Sequence, residues 1–185
     1  NKLISFLKKY EKEKIFIFGF TYIIWNFFCK ALDDINFKVN LKNCILIHGG
    51  GWKKLYSKKI NNKKFKQFLK DKFNLEKVYN YYGMVEQTGS IFLECTKCEC
   101  FVTSIFSDII VRKPDLSVCK NDEKGIVQIL SLLPTSYPGQ NILTDDIGFI
   151  KGEDNCDCKK LGKYFKIIKR VDKSDLRGCS DTFEA

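Results

Sequence analysis

Histidine is nearly missing from this chain: His48 is the single one in 185 residues. Relays of the Ser/His/Asp or Cys/His kind need an imidazole beside a nucleophile, and no convincing set surrounds this one. A lone histidine next to a turn is more often structural than catalytic. Long apolar runs are missing as well. Ile15 to Phe28 is shorter than the ~20 residues a bilayer span needs, and it contains Gly19. It reads as a buried strand followed by a helix, so no membrane span is expected. No secretory signal opens the chain, and Asn1 in place of Met suggests a fragment or a processed product. No nucleic-acid module is found, and the lysines are not interleaved with aromatics into a binding patch, so no nucleic-acid partner is expected. The nine cysteines are an odd number, which argues against a closed disulfide framework and for a reducing cytoplasm.

What is present is ample. A hydrophobic share of 44% with 14% aromatics excludes a disordered chain, and the length allows one medium domain or two small lobes. The net charge of +10 comes mostly from lysine, as in Lys63-Lys64-Phe65-Lys66, and reads as a solvated face that acidic substrates such as nucleotides share incidentally. Apolar spacing at Leu3, Phe6, Leu7 and Tyr10 predicts a helix over Lys2 to Lys14. Ile15 to Gly19 follows as a strand, Phe20 to Leu32 as an apolar helix, and Asn43 to Ile47 as a second strand. Ile60 to Lys72 is an amphipathic helix with Phe65, Phe68 and Leu69 inward, and Leu75 to Tyr79 a third strand. Strand and helix in alternation predict a parallel sheet with crossover helices.

From Ile91 onward helical spacing disappears. Short strands are expected at Ser90–Glu94, Asp108–Arg112, Gly125–Ser131 and Phe149–Lys151, with turns at Lys113-Pro114-Asp115 and Tyr137-Pro138-Gly139. This is the pattern of a small antiparallel, barrel-like lobe. The α/β class therefore divides into an α/β subdomain over 1–90, a β-rich subdomain over 91–172, and a hinge and tail over 173–185.

Four stretches carry chemistry. His48-Gly49-Gly50-Gly51-Trp52-Lys53 follows the second strand, where ligands bind in open parallel sheets, although its spacing is neither a phosphate loop nor a dinucleotide fingerprint. Tyr82-Gly83-Met84-Val85-Glu86 follows the third strand. Its ring suits a flat ligand, its glycine allows close approach, and its carboxylate suits a Mg²⁺ that keeps waters and phosphate oxygens. Both also read as tight turns. Asn141 to Gly148 reads as an Asx-rich turn in which Asp146 could accept both hydroxyls of a ribose. Gly162 to Arg170 reads as a twisted strand ending in a basic residue.

The cysteines form a further constellation. Cys95, Cys98 and Cys100 make one cluster, and Cys156 and Cys158 another. Two clusters on short turns suit tetrahedral zinc, which takes four ligands, so one of Cys98 and Cys100 would be spare. The alternative is a set of reduced, partly buried thiols. Cys29, Cys44 and Cys119 read as core or surface fillers.

Taken in order, HGGGWK at 48–53, YGMVEQTGS at 82–90, SDIIVRKPDL at 107–116, LSLLPTSYPGQNILTDDIG at 130–148, GKYFKIIKRVD at 162–172 and LRGCS at 176–180 resemble the acyl-protein synthetases of the bacterial bioluminescence type (LuxE-like). These are a compact branch of the adenylate-forming superfamily, close to phenylacetate–CoA ligases. Val85 stands where the superfamily usually carries Thr. The resemblance implies MgATP-dependent conversion of a fatty acid to an acyl-adenylate, then transfer to a cysteine thiol. Gly49 and Gly50 would line the adenine pocket, Tyr82 would stack on the base with Gly83 also binding the nucleotide, and Glu86 would hold Mg²⁺. Asp146 would grip the ribose, Arg170 would contact ribose or phosphate, and Cys179 would accept the acyl group and pass it to a partner reductase. The Arg177 cation beside that thiol favours the attacking thiolate; otherwise Cys179 is an incidental terminal cysteine. The family's Ser/Thr/Gly phosphate loop is absent, which implies the carboxy-terminal half of such an enzyme. Two further readings stand beside this one: an acyl-CoA ligase of the phenylacetate type, and a non-catalytic, zinc-stabilised scaffold that binds nucleotide or acyl partner.

Overall fold

A computed structural model describes residues 2–51 and 60–171. The expected tail with Cys179, Asp172 of the hinge, and Trp52-Lys53 of the glycine stretch lie outside the described residues. The chain divides into two compact units, one ending at Asn80 and one beginning at Tyr81.

In the first unit, helix α1 (Lys2–Lys9) is shorter than its spacing predicts. It buries only Leu7 and leaves Leu3 and Phe6 exposed. Strand β1 (Phe16–Phe20) runs straight into helix α2, which is α-helical over Thr21–Ile23, π-helical over Ile24–Lys30 and α-helical again over Ala31–Asp34. Strand β2 (Ile45–Gly49) pairs with β1 in parallel, Phe16 opposite Ile45 and Phe20 opposite Gly49. Helix α3 (Asn62–Phe73) has clear end signals. The Asn61 side chain accepts the Lys64 N–H at 2.8 Å, and Asn74 closes the helix in the left-handed region at φ 55°. Its inward stripe is Phe65, Leu69 and Phe73, with Phe68 only partly covered. Together with Leu7, Cys29, Leu32, Leu41, Leu46 and Leu75 these side chains make one core. Strand β3 (Lys77–Tyr82) lies next to β2 in the sheet order, and its last residues, Tyr81 and Tyr82, pair antiparallel with Leu93 and Phe92 of β4 (Phe92–Leu93).

The second unit is built on five antiparallel strands in the order β5-β9-β8-β7-β6. They are β5 (Phe101–Val102), β6 (Ser107–Arg112), β7 (Gly125–Ser131), β8 (Asn141–Glu153) and β9 (Lys163–Arg170). On β6 the burial alternates strictly, as a strand covered on one face requires. Phe92, Ile109, Val111, Val127, Ile129, Ile150 and Phe165 form its core. The segment read as an Asx-rich turn, Asn141 to Gly148, is the first half of β8. Register shifts at Ile147/Gly148 and at Ile150/Gly152 hide its alternation. Both glycines are needed there. A Cβ on Gly148 would come within 2.5 Å of the Lys166 carbonyl, and one on Gly152 within 2.5 Å of the Tyr164 hydroxyl.

Candidate functional site

The glycine bend belongs to the first unit. Gly49 ends β2, and Gly50 turns the chain at φ 74°, a left-handed conformation that a side chain would strain. A Cβ there would also press on Phe20 at 3.1 Å. The Thr21 hydroxyl donates its one proton to the Gly49 carbonyl at 3.0 Å and lies 2.9 Å from His48 Nδ1. Nδ1 must therefore carry the histidine proton and donate to Thr21. His48 is buried, its ring is tilted on Phe65 at 4.7 Å, and Nε2 has no hydrogen-bond partner among the described residues. The histidine thus supports the bend structurally.

Burial, reinforced by the Lys66 ammonium, pulls the His48 imidazolium down to about 4 from an ordinary 6.5. Between those values the unfolded chain binds a proton that the folded chain refuses. Stability therefore falls as pH drops from 6.5 towards 4, by roughly 3 kcal/mol over the full window. Urea midpoints of His48→Gln are expected to lose that part of the slope, and an unchanged slope would assign it to the carboxylates.

In the second unit the structure brings together three of the residues singled out in the sequence. Asp146 on β8 lies directly opposite Arg170 on β9, and Arg170 Nε stands 3.6 Å from Asp146 Oδ1. The Tyr82 hydroxyl donates to Asp146 Oδ2 at 2.7 Å. Residues 64 and 88 positions after Tyr82 in sequence (146 − 82 and 170 − 82) thus share one cluster. The Tyr82 ring sits among Phe92, Phe101 and Phe165, with centroids 6.1, 5.9 and 6.1 Å away. Burial first, then the Asp146 charge and its hydrogen bond, push the Tyr82 phenol far above its ordinary value, so it is a permanent donor. The Asp146 side chain is 13% exposed, and the 3.6 Å separation from Arg170 leaves Oδ1 with lone pairs for incoming hydroxyls. Those lone pairs are acceptors to which the hydroxyls of a diol can donate.

Glu86 lies in a 3₁₀ turn (Val85–Gln87) and its side chain is exposed. Exposure suits a hard cation that keeps most of its waters. Gly83 accommodates a close neighbour: a Cβ there would meet the Ser90 carbonyl at 3.1 Å. Gln87 and Tyr137, which sequence reasoning missed, hold this turn. Gln87 is fully buried and donates to the Gly139 carbonyl at 2.8 Å, while the Tyr137 hydroxyl donates to the Glu86 carbonyl at 2.8 Å. Ser90 Oγ adds a bond to Ser131 Oγ at 2.7 Å. A glutamine directly after a motif carboxylate carries no signal of its own. Only the Tyr-Pro-Gly turn at 137–139, read as a connection, hinted at a partner. Gln87→Ala strands the Gly139 carbonyl and opens a cavity. It is expected to cost about 2 kcal/mol in denaturant unfolding; a loss below a few tenths would mean the bond is idle.

The thiols of Cys95, Cys156 and Cys158 lie within 4.8 Å of one another, and Cys98 Sγ is 3.3 Å from Cys156 Sγ. Burial pushes Cys95 up, but N–H donors from Cys98 and Lys97 and the thiols of Cys158 and Cys98 outweigh it and hold Cys95 at about 7. Cys98 is pushed up to about 11, chiefly by burial. Cys100 is buried beside them. The two sequence clusters are therefore one spatial cluster.

Among solved structures, 2-hydroxyisobutyryl-CoA ligase in an open conformation with 2-HIB-AMP and CoA aligns with TM-score 0.71 at 15% identity, covering 93% of this chain and 36% of that one. A long-chain-fatty-acid–CoA ligase from Archaeoglobus fulgidus aligns with TM-score 0.62 at 16% identity, covering 91% and 36%. These likenesses establish the fold, which this chain shares with about a third of each of those ligases. Among curated proteins, the long-chain-fatty-acid–luciferin-component ligase of Vibrio harveyi is 24% identical over 176 residues, covering 93% of this chain and 45% of its own length. Its namesake in Aliivibrio fischeri is 25% identical over 182 residues, covering 93% and 46%. The chain spans about half the length of the curated relatives it matches. The family described as "Acyl-protein synthetase, LuxE" matches residues 1–185, and over that whole span this chain belongs to it.

Proposed function

We propose that this chain is the nucleotide-gripping part of an ATP-dependent acyl-activating ligase, which joins a long-chain fatty acid to AMP and hands the acyl group to a cysteine thiol. The observation that carries the reading is the cluster of Tyr82, Asp146 and Arg170 in a chain matched throughout by an acyl-protein synthetase family. In this reading Asp146 accepts the ribose hydroxyls while Tyr82 fixes its orientation. Arg170 lies beside ribose or phosphate, the Gly49-Gly50 bend lines the adenine, and Gly83 lets the backbone approach it. Glu86 is the Mg²⁺ ligand; the cation neutralises phosphate charge when bound. Cys179 is the acyl acceptor, and a reductase is the partner that takes the acyl group onward. The cysteine cluster is a zinc position, and the free thiols suit a reducing cytoplasm. No helix among the described residues is long and apolar enough to cross a membrane.

The full-length protein incubated with radiolabelled fatty acid and ATP should become labelled, and Cys179→Ser should abolish stable labelling while ATP–pyrophosphate exchange continues. Label that survives Cys179→Ser removes that residue from the mechanism. The solved CoA ligases that share the fold support a second route, release of the acyl group to CoA. Acyl-CoA formation undiminished by Cys179→Ala would select it.

A further inference from the structure

We infer that Cys95, Cys98, Cys156 and Cys158 form a closed, four-thiolate structural zinc site, and that Cys100 is not a ligand. This deepens the zinc reading above and rests on it; it is independent of the ligase reading. Zinc–sulfur bonds of about 2.3 Å in a tetrahedron place the sulfurs about 3.8 Å apart. Cys95 and Cys156 are 3.9 Å apart, Cys98 and Cys156 are 3.3 Å apart, and Cys158 lies within 4.8 Å of Cys95 and Cys156. Cys98 touches Cys156 but stands outside the trio whose sulfurs all lie within 4.8 Å, so a metal entering this group draws Cys98 inward by more than about one ångström, a change of side-chain torsion.

The backbone adds a geometric detail: the Lys97 N–H donates to Cys95 Sγ at 3.4 Å. A donor aimed at sulfur favours the thiolate that a metal binds and helps fix the direction of its lone pairs. Cys100 behaves differently. Its Sγ is turned to the Cys98 carbonyl and donates to that oxygen at 3.4 Å. It is buried at the start of β5 and packs with Val102 and Tyr164. The four-thiolate complex carries two negative charges. Lys97, Lys159 and Lys160 lie on the same turns, and the Lys166 charge acts on the neighbouring Cys100. A full set of four sulfurs leaves no open position, so the metal stabilises structure and performs no chemistry. On binding, each ligating thiol that is still protonated releases its proton to solvent.

The site is a staple. One pair of ligands sits in the turn between β4 and β5, the other in the turn between β8 and β9, and little apolar burial holds these turns otherwise. β5 also carries Phe101, which packs on Tyr82, so the staple backs the tyrosine that holds Asp146.

The test is metal content of full-length protein purified without added chelator, with Co²⁺ substitution as the second measurement. The expected result is about one zinc per chain, retained in Cys100→Ser and lost in Cys98→Ser, with Co²⁺ spectra of a tetrahedral four-sulfur field in Cys100→Ser. A wild-type protein that takes up neither zinc nor Co²⁺ overturns the metal site itself. Zinc retained in Cys98→Ser and lost in Cys100→Ser overturns the ligand set and leaves the metal. Where a variant does not fold, Co²⁺ titration of the wild type still decides: charge-transfer intensity for fewer than four thiolates contradicts the proposal. Activity enters none of these readouts, so failure of the ligase reading would leave them untouched.

Discussion

Replacing Asp146 by Ala in the full-length enzyme is expected to lower kcat/KM for ATP by about 10²–10³-fold, measured by ATP–pyrophosphate exchange. A hydrogen bond to a charged group is worth ~1.5–3 kcal/mol. In the proposed role the carboxylate holds two ribose hydroxyls, and losing both would remove ~3–4 kcal/mol, at 1.4 kcal/mol for each factor of ten. The carboxylate also anchors Tyr82 at 2.7 Å and faces Arg170 at 3.6 Å, so its loss removes the acceptor that orients the phenol and the negative charge opposite the cation. Asp146→Asn separates these effects. It preserves shape and an acceptor for Tyr82 and should keep the folding midpoint near wild type, while activity remains well below it. An Asp146→Ala enzyme within threefold of wild type would contradict the ribose role.

Stripping the proposed zinc with a strong chelator, or Cys98→Ser, should lower the melting temperature by about 10–20 °C. Structural zinc contributes ~10–16 kcal/mol in small peptides. Here a sheet core already exists, and half of the smaller figure, ~5 kcal/mol, is a fair expectation. At ~2–4 °C for each kcal/mol in a domain of this size, the shift follows. The apo protein should still show the far-ultraviolet signature of β-sheet, because Ile109, Val127, Ile129 and Phe165 are buried without help from the cysteines. Its weakened part should be the β5 edge and the Tyr82 ring seated on it. Added zinc should restore the midpoint. A melting temperature that ignores both chelator and zinc would leave the cluster as ordinary buried thiols.

Much of this was legible in the residues, and the exceptions have physical causes. Strand β7 could be read to the residue, since Gly125 and Ser131 bracket an apolar run. Helix α3 could be read from its spacing and from the asparagines at both ends. Helix α1 stops at Lys9, short of the expected Lys14, because one buried leucine is too little packing to extend a short lysine-rich helix. Asp145 and Asp146 looked like turn residues, and no local preference could reveal that tertiary pairing draws them into a strand thirteen residues long. The Asp146–Arg170 juxtaposition depends on that pairing. The five cysteines were visible as a candidate group, but the choice between Cys98 and Cys100 depends on where each Sγ points, which the turn decides.

The irregular register of β8 has one further consequence. The same ladder that sets Asp146 across from Arg170 also leads, two offsets later, into the loop bearing Cys156 and Cys158. Side chains alternate between faces along a strand, so gaining or dropping one residue between positions 146 and 153 would invert everything on one side of the change. Either the carboxylate or the sulfur pair would then face away from its companions. A change of length here would need a further bulge to keep both assemblies facing as they do.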